Sequence, residues 1–127
     1  MSGARVLLVE DEALTAIAMA QAVEAAGCQV LGPVGRVQDA IDLVRTTRPD
    51  AAVLDVNLLG QPSFPIARIL DSMGVPFLFC TGYNSLNDID AYLRQAPVLT
   101  KPVNPADLVG AVNTLLAAGT RSGAGMG

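Results

Sequence analysis

Short, unbroken apolar runs alternate along this chain with longer stretches in which apolar residues recur every three or four positions. The runs occupy residues 6–9, 29–34, 51–54, 76–80 and 97–99, are enriched in Val, Leu and Phe, and are bounded by Gly, Pro or Asp. Continuous apolar character with no polar alternation is the mark of strands covered on both faces, which means parallel strands. Between them, Leu14, Ile17, Ala18 and Ala25 fall on one helical face, as do Val37, Ala40, Ile41 and Val44, then Ile66, Ile69, Leu70 and Met73, and finally Leu108, Ala111, Val112 and Leu115. A further, shorter helix is expected around Leu86, Ile89 and Leu93.

Punctuation agrees with this reading. Gly27, Pro49 and Gly74 follow the first three helices, and Asn104-Pro105 offers an N-cap with proline at the first helical position. Strands separated by helices of this length pair in parallel through right-handed crossovers, with helices on both faces of one sheet. The expected architecture is α/β: a flavodoxin-like, doubly wound (βα)5 unit whose five-stranded parallel sheet has the order 2-1-3-4-5. With 127 residues there is room for one domain, placed at residues 1–118. The Gly-rich end, residues 119–127, has no apolar periodicity and is expected to be a flexible tail or the start of a linker.

Composition removes several classes of function. Twelve acidic against eight basic residues give a net charge of −4, and the basic residues stand singly, so no nucleic-acid partner is expected. No apolar run nears the roughly 18 residues that cross a bilayer, and residues 6–9 are too short for a signal-peptide core, so the expected location is the cytoplasm, with no membrane partner. Cys28 and Cys80 lack metal-ligand spacing and lie in apolar surroundings, which suits reduced, buried thiols. The chain contains no histidine. That excludes a Ser-His-Asp hydrolase and a phosphohistidine carrier.

In an open parallel sheet, chemistry collects beyond the carboxyl ends of the strands. Here the first strand runs into Glu10-Asp11-Glu12, the third into Asp55, the fourth into Thr81-Gly82 and the fifth into Lys101-Pro102. Each residue alone has an ordinary explanation as a cap or a solvated loop charge. Together they bring acids from adjacent strands to one rim, where they repel unless a cation intervenes. Oxygen donors without nitrogen or sulfur favour Mg²⁺. Lys101, the chain's only lysine, faces the same rim. A carboxylate beside Mg²⁺, a hydroxyl and an ammonium group can accept a phosphoryl group as an acyl phosphate. The group adds a charge of about −1.5 to −2. An ammonium about 4 Å from one such charge gains on the order of 4 kcal/mol at an effective dielectric constant of 20, against the about 5.5 kcal/mol that reverses a two-state population.

These residues, in this order and spacing, resemble the receiver domain of two-component response regulators over about residues 4 to 118. The resemblance implies that Asp55 is the phosphoacceptor, and that Asp11, Asp55 and the Asn57 backbone carbonyl bind Mg²⁺ while Glu10 acts through a water. It further implies that Thr81 and Lys101 contact the phosphoryl oxygens, that the Lys101–Pro102 peptide is cis, and that the donor is a sensor histidine kinase. A narrower similarity joins Asp55-Val-Asn-Leu, Ser63-Phe-Pro-Ile-Ala67 and Val75-Pro-Phe-Leu-Phe-Cys-Thr-Gly-Tyr83 to the atypical single-domain receivers nicknamed FAT GUY, with Cys80 where their motif has Ala. Such receivers work with histidine kinases, often of the HWE type, in alphaproteobacterial stress signalling. One departure stands out: Val98 occupies the position where many receivers carry a switching Tyr or Phe, and Tyr83 is the candidate replacement.

The resulting expectation is a stand-alone receiver, not an enzyme beyond its own phosphorylation and dephosphorylation. It signals to a downstream protein or relays phosphate to a phosphotransfer protein, with a contact surface running from Tyr83 to about Leu116. Alternatives are a degenerate receiver that binds partners without phosphorylation, and a fragment of a longer regulator. An aspartyl-phosphate phosphatase would want an acid where Asn57 stands, and an acidic first loop would repel a flavin phosphate.

Overall fold

In a computed structural model of the chain, residues 3–82 and 96–126 are described, with side chains to residue 118. The element order is β1 (Arg5–Val9), α1 (Ala13–Ala25), β2 (Gln29–Val34), α2 (Val37–Thr47), β3 (Ala51–Asp55), β4 (Asn57–Leu58), β5 (Gln61–Pro62), α3 (Phe64–Ser72), β6 (Phe77–Thr81), β7 (Val98–Thr100) and α4 (Pro105–Met126). Five strands form one parallel sheet, β2-β1-β3-β6-β7. Leaving out the small β4–β5 pair, this is the expected 2-1-3-4-5 order. The helix expected around Leu86, Ile89 and Leu93 lies outside the described residues, as does Tyr83.

The sheet is covered on both faces, which is why its central strands read as unbroken apolar runs. Side chains alternate across a strand: Leu7 and Val9 of β1, with Ala52, Leu54 and Phe79, enter a core completed by Ala40, Val44, Ile66 and Leu70 of α2 and α3. Val6 and Leu8, with Val53, Leu78 and Cys80, enter a second core against Met19 and Val23 of α1 and Leu108, Val112 and Leu115 of α4. Phe79 meets Phe64 and Phe77 edge to face, at centroid distances of 6.1 and 5.7 Å. Cys28 and Cys80 are free thiols, and both are buried.

The helix signals are realised in α2, α3 and α4. Gly74 takes a positive φ of 74° just after α3, and the Asn104 carboxamide oxygen accepts from the Ala106 and Asp107 N–H groups at 2.8 and 3.4 Å, capping α4.

Two details differ from expectation, the inner face of α1 and the segment after β3, and a third concerns the length of α4. Helix α1 is turned: Leu14, Ile17, Ala18 and Ala25 face solvent, and Ala16, Met19 and Val23 are buried. Every residue of α1 but Thr15, Gln21 and Glu24 is apolar, so periodicity could not choose its inner face. Helix α4 runs on through residues 119–126, since after Pro105 no proline interrupts propagation from the preceding turns. The segment after β3 forms an antiparallel hairpin, β4–β5, in which Asn57 pairs with Pro62 and Leu58 with Gln61.

Candidate functional site

Three strand ends build the site. Glu10 and Asp11 follow β1, Asp55 closes β3, and Lys101 follows β7. Strand register holds the ends level: the Glu10 N–H donates to the Val34 carbonyl at 2.9 Å, Asp55 lies opposite Cys80, and the Lys101 N–H donates to the Thr81 carbonyl at 2.9 Å. Carboxylate oxygens of Glu10, Asp11 and Asp55 all come within 4.8 Å of one another. Acids separated by 45 residues of sequence therefore share one cradle.

Lys101 lies between two of them. Its Nζ is 2.8 Å from Glu10 Oε1 and 3.0 Å from Asp55 Oδ2. The Glu10 side chain is 1% exposed and that of Asp55 9%. Burial pushes the Glu10 carboxyl above its ordinary value, an effect that the hydrogen bonds from Lys101 and the Glu12 N–H only partly offset. Burial would lower the Lys101 pKa, but the hydrogen bonds to Glu10 and Asp55 dominate and raise it, so the ammonium stays charged. Burial also acts on Asp11, upward, yet the Leu59 N–H, 2.9 Å from Oδ2, and the neighbouring carboxyls hold its pKa below the usual range. Three carboxylates against one ammonium leave the cluster two negative charges in excess. A divalent cation would cancel them.

The donor set fits Mg²⁺, with hard oxygen ligands from few carboxylates and no sulfur or nitrogen among them. Asn57 begins the hairpin directly above, its N–H 3.4 Å from Asp55 Oδ1. Thr81 is fully buried and its hydroxyl donates to the Gly82 carbonyl at 3.1 Å, so Thr81 shares the rim through its backbone link to Lys101. The Lys101–Pro102 peptide is cis. Val98, half-buried in β7, packs on the α2–α3 core.

Two contributors escaped the sequence reading. Gly35 lies against the acidic loop; a Cβ there would come within 3.2 Å of the Asp11 Cα. Its signal was a glycine directly after a strand. Leu59 is the other: an exposed leucine at φ +50°, followed by Gly60 at φ +83°, making the two-residue turn with both φ positive that such hairpins favour. Leucine in this region costs about 1–2 kcal/mol. A hydrogen bond to a charged carboxylate contributes about 1.5–3 kcal/mol, enough to offset it. Nothing in the sequence pairs position 59 with position 11.

Against known proteins, residues 6–113 match the model of the response regulator receiver domain. The chain belongs to that family. Receivers are signalling modules rather than catalytic enzymes, and they partner histidine kinases. Among solved structures, this receiver is similar to SdrG from Sphingomonas melonis Fr1, at 36% identity and a TM-score of 0.80 over 91% of this chain and 99% of that one. It is also similar to a response regulator receiver protein from Sinorhizobium medicae, at 25% identity and a TM-score of 0.82 over 92% and 97% of the two chains. The transcriptional regulatory protein PdtaR of Mycobacterium tuberculosis is 30% identical over 112 residues, 85% of this chain and 54% of that protein. The chain thus spans about half the length of the curated relatives it matches. Among the described residues, no helix is long and apolar enough to cross a membrane.

Proposed function

We propose that this receiver accepts a phosphoryl group on Asp55 from a sensor histidine kinase in the cytoplasm and passes the signal, or the phosphoryl group, to another protein. An Asp55 carboxylate oxygen attacks phosphorus, the bond from phosphorus to the kinase histidine breaks, and the ring nitrogen keeps the electron pair. Asp11, Asp55 and the Asn57 carbonyl would hold Mg²⁺, with Glu10 acting through water. When bound, Mg²⁺ shields negative charge on the incoming group. Lys101 and the Thr81 hydroxyl, turned from the Gly82 carbonyl, neutralise the remaining phosphoryl oxygens. The observation that carries this reading is the placement of Lys101 Nζ 2.8 and 3.0 Å from Glu10 and Asp55, in a cluster still in need of positive charge.

The Ser63-Phe64-Pro65 and Thr81-Gly82-Tyr83 segments support a place among the FAT GUY receivers. That resemblance in turn supports an HWE-type kinase as donor and stress signalling as the setting. Because Val98 is not aromatic, Tyr83 takes the role of movable aromatic or of gate to the acyl phosphate. We assign the downstream protein to the stretch from Tyr83 to about Leu116, of which residues 83–95 lie outside the described residues, and the kinase to α1. Leu14 is 82% exposed and Ile17 53%, and Leu14 lines a groove of about 530 Å³ together with Thr15, Ala18, Met19, Lys101, Val103 and Leu108. An amphipathic kinase helix fits such a surface.

The test is incubation with Mg²⁺ and a small-molecule phosphodonor such as acetyl phosphate, beside Asp55→Asn. A hydroxylamine-sensitive phosphoryl adduct forms on the parent and is absent from the variant. An adduct of equal yield on Asp55→Asn, or none on either protein, rejects the assignment.

A further inference from the structure

We propose that the N–H of Leu59 is a positioning donor, through which hairpin β4–β5 holds the Asp11 carboxylate in place for a divalent cation. The inference rests on the reading of Glu10, Asp11 and Asp55 as a cation site. Within that cluster Asp11 is held differently from the other two acids. Lys101 pairs with Glu10 and Asp55, whereas the Asp11 Oδ2 accepts from the Leu59 N–H at 2.9 Å, across 48 residues of sequence. A carboxylate has two oxygens with about four acceptor sites, so a bond to Oδ2 leaves Oδ1 for coordination while fixing the plane of the group.

The hairpin is built to make that bond. Leu58 is buried and anchors one arm, the Ser63 N–H donates to the Val56 carbonyl at 2.9 Å and closes the base, and the turn places Leu59 and Gly60 at positive φ. The Leu59 side chain is 67% exposed. Its backbone, held in a strained conformation, is what the fold uses, and strain persists where the surroundings over-determine it. From the other side, Gly35 lets the β2–α2 turn press against the Asp11 backbone. Asp11 is clamped between two turns, the way outer partners orient metal-binding carboxylates.

The test changes the turn and leaves every cluster side chain intact. Gly60→Val places a β-branched residue at φ +83°, which it does not tolerate, whereas Gly60→Asn introduces the residue that best tolerates positive φ after glycine. Mg²⁺ binding to the full chain is measured by calorimetry, and the Leu59 amide is followed by proton–nitrogen NMR and hydrogen exchange. Expected are about tenfold weaker Mg²⁺ binding by Gly60→Val, near-parental binding by Gly60→Asn, and a Leu59 amide that is protected in the parent and shifts on Mg²⁺ addition. A Leu59 amide that exchanges freely, or parental affinity in Gly60→Val, overturns the inference while the cation site itself stands. If Gly60→Val does not fold, protection and Mg²⁺ response of the parental amide decide. No Mg²⁺ uptake by the parent, or undiminished uptake by Asp11→Asn, overturns both the site and the inference.

Discussion

Replacing Lys101 by Met removes the ammonium between Glu10 and Asp55 and leaves buried acids facing each other. Breaking such a pair from one side costs about 3 kcal/mol. The Lys101→Met protein is therefore expected to unfold at lower denaturant than the parent, and millimolar Mg²⁺ restores much of the difference; equal midpoints without cation would contradict the charge balance described above. Asp55→Asn acts in the opposite sense. It loses the Lys101–Asp55 contact but keeps the Glu10–Lys101 pair, and it removes the repulsion of Asp55 with two acids within 4.8 Å, a net relief on the order of 1 kcal/mol. Without divalent cation its urea midpoint should exceed that of the parent, and with Mg²⁺ the order should reverse. Most of these residues were legible in the sequence because strand ends in a parallel sheet face one rim. Position 59 was not, because its contribution is a backbone N–H whose reach depends on the turn.

At the scale of elements, α1 separates what a pattern reveals from what only packing decides. Leu14 and Ile17 were expected inside and are outside, because a helix apolar on nearly all sides has no preferred face until its neighbours are placed. Helices α2 and α3, with a polar side of their own, were read in the right orientation. The exposure of Leu14 and Ile17 makes a direct prediction. Leu14→Glu and Ile17→Glu each change stability by no more than about 0.5 kcal/mol, as surface substitutions do. In phosphotransfer from the kinase they lower the rate, while labelling by acetyl phosphate is unaffected. A fall in both rates would place the fault in the acid cluster, not at a docking face. The β4–β5 hairpin was unforeseen for a simpler reason: its strands have two residues each, too few to show alternation.

For the whole molecule, the strand order followed from five apolar runs and the handedness of their crossovers, since a sheet buried on both faces admits few arrangements. The same burial makes the fold sensitive to alkali. Cys80 sits in the core, where burial pushes its thiol up from 9.0 to about 12. Lys101 is raised above 10.5 by Glu10 and Asp55. Both groups keep their protons in the folded state to higher pH than in the unfolded chain. Their contribution to stability is thus fully present below the unfolded values and is lost as pH rises through the folded ones. Urea midpoints measured upward from pH of about 9 should fall, less steeply in Lys101→Met and in Cys80→Ala than in the parent. Identical slopes in all three proteins would refute the assignment.

Cys28 and Cys80 are the only sulfhydryls in the chain, and both are withdrawn from solvent. A cysteine introduced at exposed Leu14 would therefore be the one thiol open to a maleimide dye, making the otherwise unaltered protein a ready background for single-site fluorescence.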